Sequence, residues 1–277
     1  MNGTVTRTIY GVLFLVVMLG GLLFHSIPFI ILFAFITGVM LFEFYRMTMG
    51  RSYETIQYIA ISFGVLLFFA GAGFFSGRQG LAEFVCEGAI LLMGIMIASI
   101  VRKDHKDFLK TAYLYAGLLY IALPLALSNA VVFRTGKFSG LLMVAFFCII
   151  WSSDVGAYCF GMLFGQKLWP AKMCPSISPK KSWAGFVGGL LLAMLSAAVL
   201  YWTGLFNFPI WHALAVAAIM HVAGVFGDLF ESLWKRAVGV KDSGNLIPGH
   251  GGLLDRFDSS LFAIPSGMTY LLILQLV

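Results

Sequence analysis

Charge is scarce in this chain. Only 11% of its 277 residues are Asp, Glu, Lys or Arg, and 60% are apolar. A soluble domain of average composition carries about 25% charged residues. A soluble protein of this length has too much surface to cover with so few charges. The composition argues against a water-soluble domain and for a polytopic membrane protein, whose apolar surface lipid accepts. Cysteine is scarce as well. Cys86, Cys148, Cys159 and Cys174 are the four present, and none stands in a CxxC pair. That spacing argues against a disulfide framework and against a cysteine metal cluster. There is no GxxxxGK[ST] phosphate loop, so any nucleotide site must be built another way. The first apolar run, after Arg7, has no clear small-x-small cleavage site and is followed closely by another. It reads as a membrane helix rather than a signal peptide.

What the chain has in abundance is long apolar runs. A spanning helix needs about 20 mostly apolar residues. Nine stretches qualify, near 8–26, 27–46, 55–76, 81–101, 108–129, 138–163, 184–206, 209–235 and 258–276. They predict an all-α, polytopic integral membrane protein with about nine transmembrane helices. Residues 1–130 hold the first five and residues 131–277 the last four. With the N-terminus and the loops after helices 2, 4, 6 and 8 on one side, that side carries 15 of the 18 Lys and Arg residues. The asymmetry places those loops in the cytoplasm, beneath the cell (inner) membrane. The net charge of +6 sits in short loops between apolar runs. This favours anionic lipid or a phosphate substrate over nucleic acid.

Three acids fall where acids are costly. Asp154 lies late in the sixth run, and Asp228 and Glu231 lie late in the eighth. An ionisable group within a span costs about 2.5–3.5 kcal/mol on insertion scales and marks a candidate functional site. The alternative for each is a buried acid paired with a base for packing. His221, Gly224, Asp228, Glu231, Ser232 and Lys235 recur at helical spacing. One face of the eighth helix is therefore polar and predicts a water-filled, cytoplasm-facing cavity. His221, the deepest member, reads as a packing histidine.

The segment Ser232–Asp258 concentrates what remains of the charge, with four cations, three aspartates, a histidine and a run of glycines. Glycines let backbone N–H groups approach an anion. Carboxylates beside a phosphate site suit Mg²⁺, which takes one or two of them together with phosphate oxygens. Asp228 and Asp255 form the best candidate pair. Asp258 is either a further acid of the site or the N-cap of the last helix.

At these residues the chain resembles the phosphatidate cytidylyltransferases, also called CDP-diacylglycerol synthases. Ser232, Lys235, Arg236, Lys241, Asp242, Gly244, Ile247, Pro248, His250, Gly251, Gly252, Asp255, Arg256 and Asp258 match the family's C-terminal signature. Asp154-x-Gly-Ala-Tyr158 and the loop Ser178-Pro179-Lys180-Lys181-Ser182 also fit. Trp234 and Ala184 depart from the usual residues at their positions. The resemblance implies transfer of CMP from CTP to phosphatidic acid at the bilayer, giving CDP-diacylglycerol and pyrophosphate. It implies a catalytic set of Asp228, Asp255, Lys235, Arg256 and His250. Substrate contacts would come from Ser178, Lys180, Lys181, Ser182, Ser232, Arg236, Lys241, Asp242, Gly251 and Gly252. Mg²⁺ would be held by Asp228 and Asp255, helped by Asp154 and Glu231. A second cation, divalent or K⁺, could share the cluster.

Two other readings stay open. A CTP-dependent polyprenol or phytol kinase would transfer the γ-phosphoryl group to an alcohol. A cation-coupled transporter would use Asp154 and Asp228 as ion ligands but would not need the glycine- and cation-rich loop. Gly161-xxx-Gly165 and Gly185-xxx-Gly189 have helix-packing spacing. They are expected to pack helices within one chain, and a homodimer is left open.

Overall fold

The computed structural model describes residues 3–101, 108–134, 136–165, 168–246 and 251–277. Backbone packing divides the chain into two units. One holds Met1–Ser139 with Val240–Arg256, and the other holds Gly140–Gly239 with Phe257–Val277. Packing first changes unit at 139/140. Packing also changes unit at 239/240 and again inside the last helix.

In the first unit, α1 (Gly3–Leu23) and α2 (Ser26–Met49) form a tight hairpin. His25 caps α2, its imidazole accepting from the Ile27 N–H. Pro28 sits in the first turn, where no N–H is needed. Then follow α3 (Glu54–Phe75) and α4 (Leu81–Ile100). Phe108–Val132 is one helical segment, built from a 3₁₀ turn, α5 (Thr111–Gly117), a π turn (Leu118–Ala122) and α6 (Leu123–Val132). Pro124 has no N–H to offer the preceding turn. The backbone widens there, and the Leu123 N–H bonds back to the Leu118 carbonyl.

Phe29, Phe33 and Phe68 are fully buried, with centroids 4.6 Å apart for Phe29–Phe33 and 6.2 Å for Phe29–Phe68. Gly71 lets α3 approach α6, since a Cβ there would lie 2.7 Å from the Ala126 carbonyl oxygen. Within lipid such fitting, rather than exclusion of water, holds helices together.

In the second unit, α7 (Leu141–Leu163), α8 (Trp183–Trp202) and α9 (Ile210–Ala237) pack together. The part of α10 (Leu254–Ile273) from Phe257 onward belongs with them. The seam between α7 and α8 is lined by small residues. A Cβ on Gly156 would overlap the Gly188 carbonyl oxygen, and one on Gly185 would lie 2.8 Å from the Ala157 oxygen. Gly161 faces Gly185 across the same seam. The small-residue spacings thus pack helices within the chain. Between α7 and α8 lies an antiparallel pair of short strands, β1 (Lys172–Cys174) and β2 (Ser178–Ser182). No strand was expected. With three and five residues they are too short to show alternation in sequence.

Among the described residues, seven helical segments are long and apolar enough to cross a membrane, from Ser26–Met49 to Ile210–Ala237. The protein is therefore an all-α, multi-pass membrane protein. Thr8–Leu23 is a shorter apolar helix, and α10 is not among the seven. α10 opens with Asp255, Arg256 and Asp258.

Candidate functional site

In the second unit a cavity of about 370 Å³ is walled by α7, β2, α8, α9 and α10. Its polar lining is Ser153, Asp154 and Tyr158 from α7, Lys180, Lys181 and Ser182 from β2, Asp228 from α9 and Ser259 from α10. Ile150, Phe186 and Met220 supply apolar wall. Of the α9 face expected to line such a cavity, Gly224 and Asp228 do, while His221, Glu231, Ser232 and Lys235 are buried away from it.

Asp228 is held at both oxygens. Lys181 Nζ lies 2.8 Å from Oδ2, and the Ser232 hydroxyl donates to Oδ1 at 3.3 Å. Lys181 is in turn aimed by its bond to the Val225 carbonyl at 3.2 Å. Lys180 is exposed at the cavity. Close approach of α9 and α10 is permitted at Gly227, where a Cβ would lie 2.5 Å from the Asp258 carbonyl oxygen. That approach puts the half-buried Asp258 within electrostatic reach of Asp228, Asp154 and Lys235. Asp258 Oδ1 accepts the Ser259 N–H at 2.6 Å. Because α10 begins at Leu254, Asp258 lies a full turn inside it and is not its N-cap. Three carboxylates, Asp154, Asp228 and Asp258, therefore gather in this unit, and Lys181 and Lys235 counter part of their charge.

Other expected residues have narrower surroundings. The Ser182 hydroxyl caps α8 by accepting the Gly185 N–H at 3.1 Å. Ser178 opens β2, paired with Cys174. Glu231 is fully buried and takes a bond from Lys235 Nζ at 2.7 Å. Arg236 is exposed, and its Nε donates to the Ile177 carbonyl at 3.3 Å. His221 is 2% exposed, and its Nδ1 lies 2.7 Å from the Ser153 hydroxyl. That is the packing histidine expected from sequence.

The first unit holds the rest of the signature. Lys241 and Asp242 are exposed, and so is Arg256. The Asp255 carboxylate folds back on its own loop, accepting from Gly252 N at 2.8 Å and from Ser243 N at 3.1 Å. Gly251, at φ +85°, takes a left-handed turn beside it that disfavours a side chain. The expected pairing of Asp228 with Asp255 joins residues of different units and stays an expectation. His250 lies outside the described residues, as do Ile247 and Pro248.

One residue that the sequence reading passed over stands out. Glu43, near the end of α2, is 6% exposed, and its two oxygens accept the N–H groups of Leu253 and Leu254 at 3.0 and 2.8 Å. The signal was available: a lone acid in an apolar run falls under the same insertion cost as Asp228.

Among the described residues no three His, Cys, Asp or Glu side chains converge closely enough to enclose a metal ion unaided. A closed structural site of the zinc type is thereby ruled out for them. The oxygen-only donors around the cavity suit a hard cation such as Mg²⁺, which relies on one or two carboxylates and completes its shell with substrate phosphates and water.

The model of the Cytidylyltransferase family matches residues 5–274. A phosphatidate cytidylyltransferase of Staphylococcus saprophyticus is 34% identical, over 95% of this chain and 95% of its own length. Those of Staphylococcus haemolyticus and Staphylococcus aureus are each 37% identical, over 64% of this chain and 66% of theirs. With a match along nearly its whole length, the chain belongs to the cytidylyltransferase family and is a nucleotidyltransferase enzyme.

Proposed function

We propose that the protein is a phosphatidate cytidylyltransferase, moving CMP from CTP to phosphatidic acid at the cytoplasmic face of a bacterial cell membrane. The observation that carries this reading is the pair Asp154 and Asp228 beside Lys180 and Lys181 around one cavity in a membrane-helix unit, with Asp258 within electrostatic reach of both carboxylates. A lipid phosphate and a nucleotide triphosphate are both anions, and the lipid keeps its acyl chains in the bilayer. A site for them needs cations, oxygen ligands for a metal and apolar walls together.

In the reaction, a phosphate oxygen of phosphatidic acid attacks the α-phosphorus of CTP. The bond from that phosphorus to the β-phosphate oxygen breaks, and pyrophosphate leaves with the electron pair. The lipid phosphate is already ionised near neutral pH, so no strong base is needed. Positioning and charge neutralisation supply the rate. Lys180, exposed at the cavity, meets incoming phosphate. Lys181 exchanges part of its pairing with Asp228 for a phosphate oxygen. Asp228, with one neighbouring carboxylate, would hold Mg²⁺, which when bound polarises a phosphoryl oxygen and offsets its charge. Ser232 keeps Asp228 in its rotamer. Arg236 is an exposed cation of the same unit, and the family resemblance gives it a place on the triphosphate.

The test is purified protein in mixed micelles with CTP, phosphatidic acid and Mg²⁺, followed by pyrophosphate release. Release that requires phosphatidic acid and matches CDP-lipid formed supports the reading. Release of CDP instead would assign a kinase, and no turnover by folded, lipid-supplied protein would overturn it.

A further inference from the structure

Glu43 has no part in the mechanism above, yet among the described residues it is the most enclosed acid of the first unit. Burying a carboxylate is costly unless its oxygens are hydrogen-bonded. Here the cost is met by the Leu253 and Leu254 N–H groups at the start of α10. The positive end of the helix adds to the attraction. The loop closes around the same carboxylate from its other end. A Cβ on Gly244 would lie 2.5 Å from Glu43 Oε1 and 2.8 Å from its carboxyl carbon. A Cβ on Gly252 would lie 2.7 Å from Oε2. Glu43 therefore touches both ends of the stretch that carries the glycine-rich signature. Asp255 ties the same two ends from within, through Ser243 and Gly252.

We propose that Glu43 is a positioning residue for cytidylyl transfer: its buried carboxylate, reaching out of α2, clamps Gly244 to Gly252–Leu254 and fixes where Lys241, Asp242 and Arg256 are presented. It acts through backbone groups and not on substrate. Gly244 and Gly252 are glycines because a side chain at either would evict the carboxylate. The catalytic part of this inference rests on the transfer reaction proposed above, while the clamp itself does not.

The full-length protein is compared with Glu43→Gln, Gly244→Ala and the double variant Glu43→Asp/Gly244→Ala, all in the same micelles. Amide hydrogen exchange and transfer kinetics are read side by side. Glutamine turns one acceptor into a donor facing an N–H, and the alanine methyl displaces the carboxylate without removing its charge. Each single variant should speed exchange across 240–246 and 251–256 by about tenfold or more while α3 and α7 keep wild-type protection. Transfer should fall by up to about a hundredfold, the loss that a ~1 Å misplacement produces. Shortening the acid makes room for the methyl, so the double variant should recover loop protection and transfer relative to Gly244→Ala alone. Unchanged loop exchange in both single variants would overturn the clamp. So would loss of protection throughout the protein, or a double variant no better than Gly244→Ala. A wild type without transfer would sink the reaction but leave the exchange comparison to judge the clamp.

Discussion

Lys181 and Asp228 form an ion pair of 2.8 Å that ties the β-hairpin to α9 at the cavity. Both side chains are partly exposed, at 21% and 35%, so the pair contributes only about 0–1 kcal/mol to stability. Under the proposed reaction its role is on the substrate rather than in the fold. Asp228→Asn should fold with a nearly unchanged melting temperature and lose about 10²–10³-fold in transfer, the scale of a lost electrostatic contact to the reacting group. Lys181→Met should lose less. The double variant should lose less than the product of the two, because each change already disarms the pair. Melting curves and single-turnover rates in micelles check this.

Metal removal should separate activity from folding. Because no cluster of the described side chains encloses a cation unaided, chelation should stop transfer while leaving the helical circular dichroism intact. Mg²⁺ and Mn²⁺ should restore turnover and Ca²⁺ should do so poorly, since it is larger and less strictly octahedral. Unfolding on chelation would point to a structural metal instead.

The α7–α8 seam should tolerate no growth. A Cβ on Gly189 would lie 2.7 Å from His221 Cε1 and 3.0 Å from the Ser153 oxygen. Gly189→Ala should therefore cost about 1–3 kcal/mol through overpacking. Gly20→Ala is the control, since nothing lies within 4 Å of its added Cβ. It should leave the melting temperature unchanged or slightly higher.

The buried Glu231–Lys235 pair should behave differently from Lys181–Asp228. Glu231 is wholly buried, and Lys235 is 11% exposed at its side chain. Lys235→Met takes the cation from a buried carboxylate and should cost about 3–5 kcal/mol. The double change Glu231→Gln/Lys235→Met should recover most of that stability. Thermal unfolding of the two variants decides it.

Much of this was legible in the sequence, because lipid imposes few patterns. Helices such as α3 and α4 fall within a few residues of their apolar runs, since length and apolarity decide them. Asp154, Asp228 and Lys181 were legible as candidates, and the structure gathers them at one cavity. What local pattern could not show was which helix faces which. Asp258 reads as a cap or a site acid from sequence alone. The approach of α9 and α10 at Gly227 sets it beside Asp228. Asp255 reads as a metal ligand, while the structure also gives it a loop-closing role through Ser243 and Gly252. Glu43 stands 210 residues from Leu253, whose N–H it accepts. No local pattern could join them.

The most direct test follows the label of CTP. With phosphatidic acid, Mg²⁺ and folded protein in mixed micelles, CTP labelled at the α-phosphate should transfer its label to lipid. CTP labelled at the γ-phosphate should leave all of it in pyrophosphate. Lipid labelled from the γ-position, or from neither, would contradict cytidylyl transfer as the work of this protein.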